Sequence, residues 1–222
     1  MGEGLMCIAL GGETLHLYAD RALFWPARQR LFVADVHLGK DDAFRAHGIA
    51  LPRGGAQDDL QRLSALIERS GATSVWVLGD LLHGPHEDTR WQQDWQRFRD
   101  RHANVDMLLV EGNHDRAASR AGMGIAQCRD GVEDGPFVFS HAPHRFTEDG
   151  GGQIAVCGHL HPVVRVAGFR GRFPAFAVMG QQLVLPAFSA FTGGWSVRDA
   201  QARYACMGGH VLDIGPTRTG AA

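Results

Sequence analysis

At 222 residues and 45% hydrophobic content, the chain has the size of one globular domain spanning 1–222, with enough apolar mass for a sizeable core. No apolar run approaches the roughly 20 residues a membrane span needs, and the opening Met1 to Leu10 carries Glu3 and no basic stretch, so the sequence reads as soluble and cytoplasmic, with no membrane partner. A net charge of -2 excludes a global basic field for non-specific duplex binding, and Cys7, Cys128, Cys157 and Cys206 form no C-x-x-C pair, so they read as buried free thiols rather than a zinc knuckle or disulfide framework.

In chain order, Met6 to Leu10 and Thr14 to Tyr18 read as strands around a Gly11-Gly12 hairpin turn. Leu31 to Ala34 is a short apolar run that stops at Asp35. Leu60, Leu63, Leu66 and Ile67 then recur at helical spacing between Asp58 and Arg69, with Gly71 placed to end the helix. Val75 to Leu78 is a second buried strand, Trp91, Trp95 and Phe98 mark a second helix, and Met107 to Val110 a third strand. This strand and helix alternation predicts a layered α/β fold. Beyond residue 136 the texture changes to short strands at Phe137–Phe139, Ile154–Val156, Val163–Val166, Leu183–Leu185 and Val211–Ile214, which predicts a sheet with few helices.

Five of these apolar runs end in residues of metal-binding type: Asp35-Val36-His37, Gly79-Asp80, Gly112-Asn113-His114-Asp115, Ser140-His141 and Gly158-His159-Leu160-His161. In open α/β sheets ligands collect beyond the carboxyl ends of the strands, and in extended chain an i, i+2 pair points the same way. That geometry pairs Asp35 with His37 and His159 with His161. Carboxylate, imidazole and one amide, without thiolate, suit Mn²⁺, Fe, Co²⁺ or Zn²⁺, and the set is too rich in nitrogen for Ca²⁺. Two divalent ions set against Asp35, Asp80 and a bridging hydroxide leave a charge of about +1, which a phosphodiester monoanion neutralises.

Lys40, the one lysine, and Arg45 and Arg116 follow ligand segments closely; each is a candidate phosphate contact, and ordinary surface charge explains them equally well. The Trp91, Trp95 and Phe98 stripe reads as helix core rather than a base-stacking platform, and Gly193-Gly194 as a turn rather than a phosphate cradle.

The five ordered segments resemble the calcineurin-like metallophosphoesterase superfamily, with its D-x-H, G-D, G-N-H-D/E, H and G-H-x-H pattern. A closer likeness is to the bacterial DNA ligase-associated metallophosphoesterases, through Ala34 to Lys40 with Phe44-Arg45, Gly48 and Pro52, and through Pro186 to Gly194. The resemblance implies an α/β layered metallophosphoesterase sandwich, two mixed β-sheets flanked by helices. It implies two divalent metal ions, Mn²⁺ foremost, with Asp35, His37 and His161 on the first, Asp80 bridging, and Asn113, His141 and His159 on the second. His114 matches the histidine that stabilises the transition state or protonates the leaving oxygen. Many members carry an acidic residue three after the bridging Asp to orient that histidine; this chain has His83 there, leaving Asp115 as the candidate for the task. The implied activity is hydrolysis of phosphodiester bonds by a metal-bridging hydroxide, on nucleic acid in a DNA-repair setting with repair proteins as partners. The alternatives are a small-molecule nucleotide phosphatase or pyrophosphatase, and a non-catalytic protein-binding scaffold, which the completeness of the motifs disfavours.

Overall fold

The computed structural model describes residues 4–40, 44–45, 48, 54–83, 90–112, 115, 122–144, 152–190 and 192–217; Asn113, His114 and Arg116 lie outside them. The chain opens with β1 (Leu5–Leu10) and β2 (Glu13–Tyr18), an antiparallel pair in which Leu10 faces Glu13 across the expected Gly11-Gly12 turn. Then come β3 (Ala22–Trp25), β4 (Arg30–Val33), α1 (Gly55–Ser70), β5 (Ser74–Leu78), α2 (Arg90–Arg101), β6 (Asp106–Val110) and β7 (Ala126–Cys128). These strands form one sheet in sequence order, antiparallel from β1 to β4 and parallel from β4 to β7. The change of sense coincides with the helices, because a parallel neighbour requires the chain to cross back over the sheet and a helix does this with its backbone groups paired.

The second sheet holds β8 (Val132–Asp134), β9 (Phe137–Ser140), β10 (Ile154–Cys157), β11 (Pro162–Val164), β12 (Phe173–Met179), β13 (Gln182–Val184), β14 (Trp195–Ser196), β15 (Ala202–Met207) and β16 (His210–Asp213). Its order is β14-β11-β12-β13-β10-β9-β8, with β15 on β12 and β16 beyond it; β9, β10 and β13 run parallel and most other pairs antiparallel.

Strand alternation divides the first sheet between two cores. Leu31 and Val33 of β4 face the helices, joining Leu63, Leu66, Trp91, Trp95 and Phe98, whereas Phe32 and Ala34 face the second sheet. Phe32 stacks on Phe139 at 4.5 Å and Trp25 meets Phe137 edge-on at 5.0 Å, so the layer between the sheets is largely aromatic. The helix boundaries obey local rules: α1 stops at Gly71, whose left-handed φ of 67° lets its N–H reach the Ile67 carbonyl at 3.0 Å. The helices cover only the first sheet among the described residues; a small cluster around Val164, Ala175 and Ala205 covers part of the second.

Two expectations need correction. Cys7 is exposed and Cys128 half-buried, because they lie on β1 and β7, the two edge strands of the first sheet; Cys157 and Cys206 are buried, and burial pushes both thiols up to about 12. Strands β12 and β15 were not predicted, since Pro174 interrupts the first and Arg203 and Tyr204 dilute the second. No helix among the described residues is long and apolar enough to cross a membrane.

Candidate metal centre

Parallel strands from both sheets end on one rim. Asp35 and His37 follow β4, Asp80 follows β5, Asp115 follows β6, His141 follows β9, and His159 and His161 follow β10. The sheets are joined there by main chain: Phe188 N donates to Ala34 O at 2.7 Å and Ser189 N to Asp35 O at 3.2 Å, while Gly158 N donates to His141 O at 3.0 Å between the ends of β10 and β9 within the second sheet. The Pro186 to Gly194 stretch that carried the resemblance is thus a clamp on the strand bearing Asp35.

The backbone at the rim departs from the extended chain assumed from the i, i+2 spacing. Asp35, His37, Asp80, His159 and His161 have φ of 55°, 51°, 50°, 66° and 47°, five of the seven non-glycine residues in the left-handed region among the described residues. Such conformations cost about 1–2 kcal/mol each and persist where surrounding structure enforces them. The glycines act chiefly through close approach: a Cβ at Gly158 would lie 2.6 Å from Asp35 Oδ2, and one at Gly112 would lie 2.6 Å from Asp80 Oδ1, while one at Gly79 would overlap the His141 ring.

Two groups of side chains offer ligand atoms within 4.8 Å of one another: Asp35 with His37 and His161, and Asp35 with Asp80 and His141. Asp35 is common to both groups among the described residues. Its Oδ2 accepts the His159 N–H at 2.9 Å, while the buried Oδ1 meets no hydrogen-bond donor in good geometry among the described residues and lies 3.3 Å from His161 Nε2. His159 extends the second group, its Nδ1 lying 3.0 Å from His141 Nε2, which is itself 3.7 Å from Asp80 Oδ1.

Backbone carbonyls assign the tautomers. Nδ1 of His141 lies 3.2 Å from Leu78 O and Nδ1 of His161 lies 3.2 Å from Gly193 O; a carbonyl only accepts, so each Nδ1 carries the proton and each Nε2 presents a lone pair to the cluster. Two buried carboxylates and inward-facing imidazole lone pairs, one Asp35 oxygen lacking a donor, form a donor set suited to borderline divalent cations. Burial opposes a charge on His161, but Asp35 and the Gly193 carbonyl outweigh it and raise its pKa above the ordinary value. Lys40 is half-buried; desolvation lowers its pKa against the opposing pull of Asp35 and Asp80, which places its charge near the carboxylates.

Asp115 stands apart. Its Oδ1 accepts the N–H groups of Leu81 and Leu82 at 2.8 and 3.3 Å and its Oδ2 that of Gly112 at 2.9 Å, so this buried carboxylate ties the Asp80 loop to the loop after β6. Burial raises its pKa, partly offset by these donors. Arg45 is half-buried, and its neighbour Phe44 stacks on His83 at 6.0 Å, with His83 5.6 Å from His37. Sequence reading missed Asp130, whose Oδ1 receives the His141 N–H at 2.5 Å; an isolated Asp after β7 carries no motif.

Residues 30–152 match the family model of calcineurin-like phosphoesterases. The crystal structure of Pseudomonas putida nuclease MPE is similar at 33% identity, covering 95% of this chain and 100% of that one, with a TM-score of 0.81. Yfce, a phosphoesterase from E. coli, is similar at 17% identity over 85% of this chain and 99% of that one, with a TM-score of 0.49. No curated protein matches the sequence.

Proposed function

Since the chain belongs to the calcineurin-like phosphoesterase family, we propose that it is a metal-dependent phosphodiesterase acting on nucleic acid in a DNA-repair setting, alongside repair proteins. The observation that carries the chemistry is the pair of ligand groups sharing Asp35 at the ends of parallel strands from two sheets. Asp35, His37 and His161 would hold one divalent ion and Asn113, His141 and His159 the other, with Asp80 a ligand to both and Mn²⁺ the expected metal. When bound, the ions supply Lewis-acid polarisation of a phosphoryl oxygen and lower the pKa of an attacking water. The nucleic-acid assignment draws on the nuclease relative, whose likeness extends over nearly the whole chain.

The protein's own residues supply placement and proton transfer. The Gly193 and Leu78 carbonyls hold the His161 and His141 rings with Nε2 inward. Asp115, bonded to the N–H groups of Leu81 and Gly112, holds the Asp80 loop against the end of β6 that leads to Asn113 and His114. His114 protonates the leaving oxygen, and Lys40, beside Asp35 and Asp80, draws a phosphate oxygen toward the carboxylates; Arg45 and Arg116 are further phosphate contacts. Two divalent cations set against Asp35, Asp80 and a hydroxide nucleophile would leave a charge of about +1, which favours a diester monoanion over a monoester dianion.

The test compares kcat/KM on bis-(p-nitrophenyl) phosphate, the matching monoester and oligonucleotides, after chelation and reconstitution with Mn²⁺, Zn²⁺, Co²⁺ or Fe²⁺. Activity lost to chelator, restored best by Mn²⁺ and greater on diesters is the expected result. Monoester preference with no oligonucleotide cleavage would assign the site to a small-molecule phosphatase instead.

A further inference from the structure

Next to the ligand groups, β11, β12 and the clamp enclose a cleft of about 290 Å³. His161 stands in its wall and Arg21 and Arg172 line it, with no carboxylate among the described residues that do. Nη1 of Arg172 donates to Gly194 O at 3.4 Å while Nδ1 of His161 donates to Gly193 O at 3.2 Å, so this cation and a candidate ligand hang from adjoining peptides. The Gly-Gly pair permits that closeness: a Cβ at Gly194 would overlap the Val163 side chain and lie 2.9 Å from His161 O.

Charge is concentrated on this side of the molecule. The whole chain is at -2, yet from Pro162 to Arg198 it contains Arg165, Arg170, Arg172 and Arg198 and no acidic residue. All four are exposed and none has a carboxylate partner among the described residues, whereas Arg28, Arg30, Arg62 and Arg69 each pair with an aspartate. Arg21 points its guanidinium at the clamp, donating to Ser189 O at 3.0 Å, and also lines the cleft without an ion pair among the described residues. Apolar surface accompanies this charge. Phe169 and Trp195 are 57% and 44% exposed, the large apolar side chains left in solvent among the described residues. Trp195 directly follows Gly194, and Phe169 lies in the turn from β11 to β12, its ring edge-on to Phe173 at 6.5 Å. Unpaired arginines interleaved with exposed rings beside a phosphodiester site are the elements of a nucleic-acid track, in which guanidinium groups take backbone phosphates and rings stack on bases.

We propose that the Arg21–Arg172 cleft is the subsite for the phosphate neighbouring the scissile one, with Arg172 as its principal cation and Phe169 and Trp195 as stacking surfaces for bases of the same strand. This rests on the nucleic-acid reading above and assigns it residues. Arg172 binds and positions the strand and takes no part in bond making.

The experiment uses the Mn²⁺-loaded full chain and measures kcat/KM on a single-stranded oligonucleotide relative to bis-(p-nitrophenyl) phosphate, which has no second phosphate, across a salt series. Arg172→Ala should lower the oligonucleotide-to-diester ratio about tenfold and reduce the log–log salt slope by about 0.7, the value for one phosphate contact on a single strand. Arg172→Lys should restore the slope, since a point charge suffices to displace a counterion. Trp195→Ala should lower the ratio by about tenfold with the slope unaltered, because stacking releases no counterion. A wild-type ratio and slope in Arg172→Ala would overturn the subsite while leaving nucleic acid as substrate. Turnover of the small diester with no binding or cleavage of any oligonucleotide by the wild type would overturn both readings.

Discussion

The main-chain N–H of His159 donates to Oδ2 of Asp35 at 2.9 Å, linking the end of β10 in one sheet to the end of β4 in the other. This bond uses one oxygen of the carboxylate and leaves the other turned to His161 and the cluster. An asparagine at position 35 can keep its carbonyl oxygen on His159, but its amide then faces the cluster with two protons instead of a lone pair.

Asp35→Asn should therefore fold and yet lose bound metal from both ligand groups. Elemental analysis should find it depleted, while its melting temperature in chelator is no lower than that of the metal-free wild type, since a buried charge has been removed. Asp80→Asn should also lose metal, whereas His114→Ala should keep near-normal metal content with kcat lower by about 10²-fold. Normal metal content in Asp35→Asn would refute its place in both groups.

Gly158→Ala tests how closely the sheets approach. The added Cβ would meet the Ala34 Cβ at 2.5 Å and Asp35 Oδ2 at 2.6 Å, and neither neighbour is the end of a flexible chain. Overpacking of this kind costs about 1–3 kcal/mol. We expect a lower denaturant midpoint together with reduced metal content; wild-type values of both would show that the rim can widen.

Asp115→Ala leaves the N–H groups of Leu81, Leu82 and Gly112 without their acceptor. An unsatisfied buried donor costs about 1–3 kcal/mol, so the chain should be destabilised by at least about 2 kcal/mol, with activity falling alongside. Asp115→Asn, which keeps one acceptor oxygen, should lie between. A fall in kcat of two orders of magnitude at wild-type stability would restore the catalytic role suggested by its place beside His114.

Asp59 gives a pH signature away from the metal ligands. It is buried, and desolvation lifts its pKa to about 6 against the opposing pull of Arg62 and Arg21 and the hydrogen bond from Ser189. A carboxyl whose folded pKa exceeds its unfolded value binds its proton more tightly when folded. Its favourable contribution is therefore complete below about pH 4 and is lost as pH rises from about 4 to 6. Melting temperatures of wild type and Asp59→Asn across pH 4–7 should show the wild type losing ground to the variant over that window, by up to roughly 3 kcal/mol. A constant difference would mean that the paired arginines keep Asp59 ionised throughout.

Much of the site was legible because its residues lie in short motifs at strand ends, and an apolar run stopping at Asp35, Asp80 or His141 can be read without knowing what lies across the rim. The i, i+2 argument paired His159 with His161 by assuming extended chain, whereas the chain there is left-handed and the two rings join different groups. Arg172 was invisible for a related cause: an arginine in a turn has no periodicity, and its meaning depends on Gly194, 22 residues away. The clamp was visible only as a likeness, because its contacts to Ala34 and Asp35 are main-chain bonds that any side chains would permit.

Local sequence determined the strands and helices wherever one period dominated, as in α1 and β4, and determined which residue types stood ready to bind a cation. It did so because apolar spacing and ligand chemistry are properties of a few neighbouring residues. The tertiary structure alone decided that Asp35 belongs to both groups, that Asp115 is engaged by the backbone, and that Arg172 lies beside His161. Each of these depends on the distance at which two sheets pack, and that distance is set by the Phe32 and Phe139 stack and the Gly158 contact, which couple residues more than a hundred positions apart.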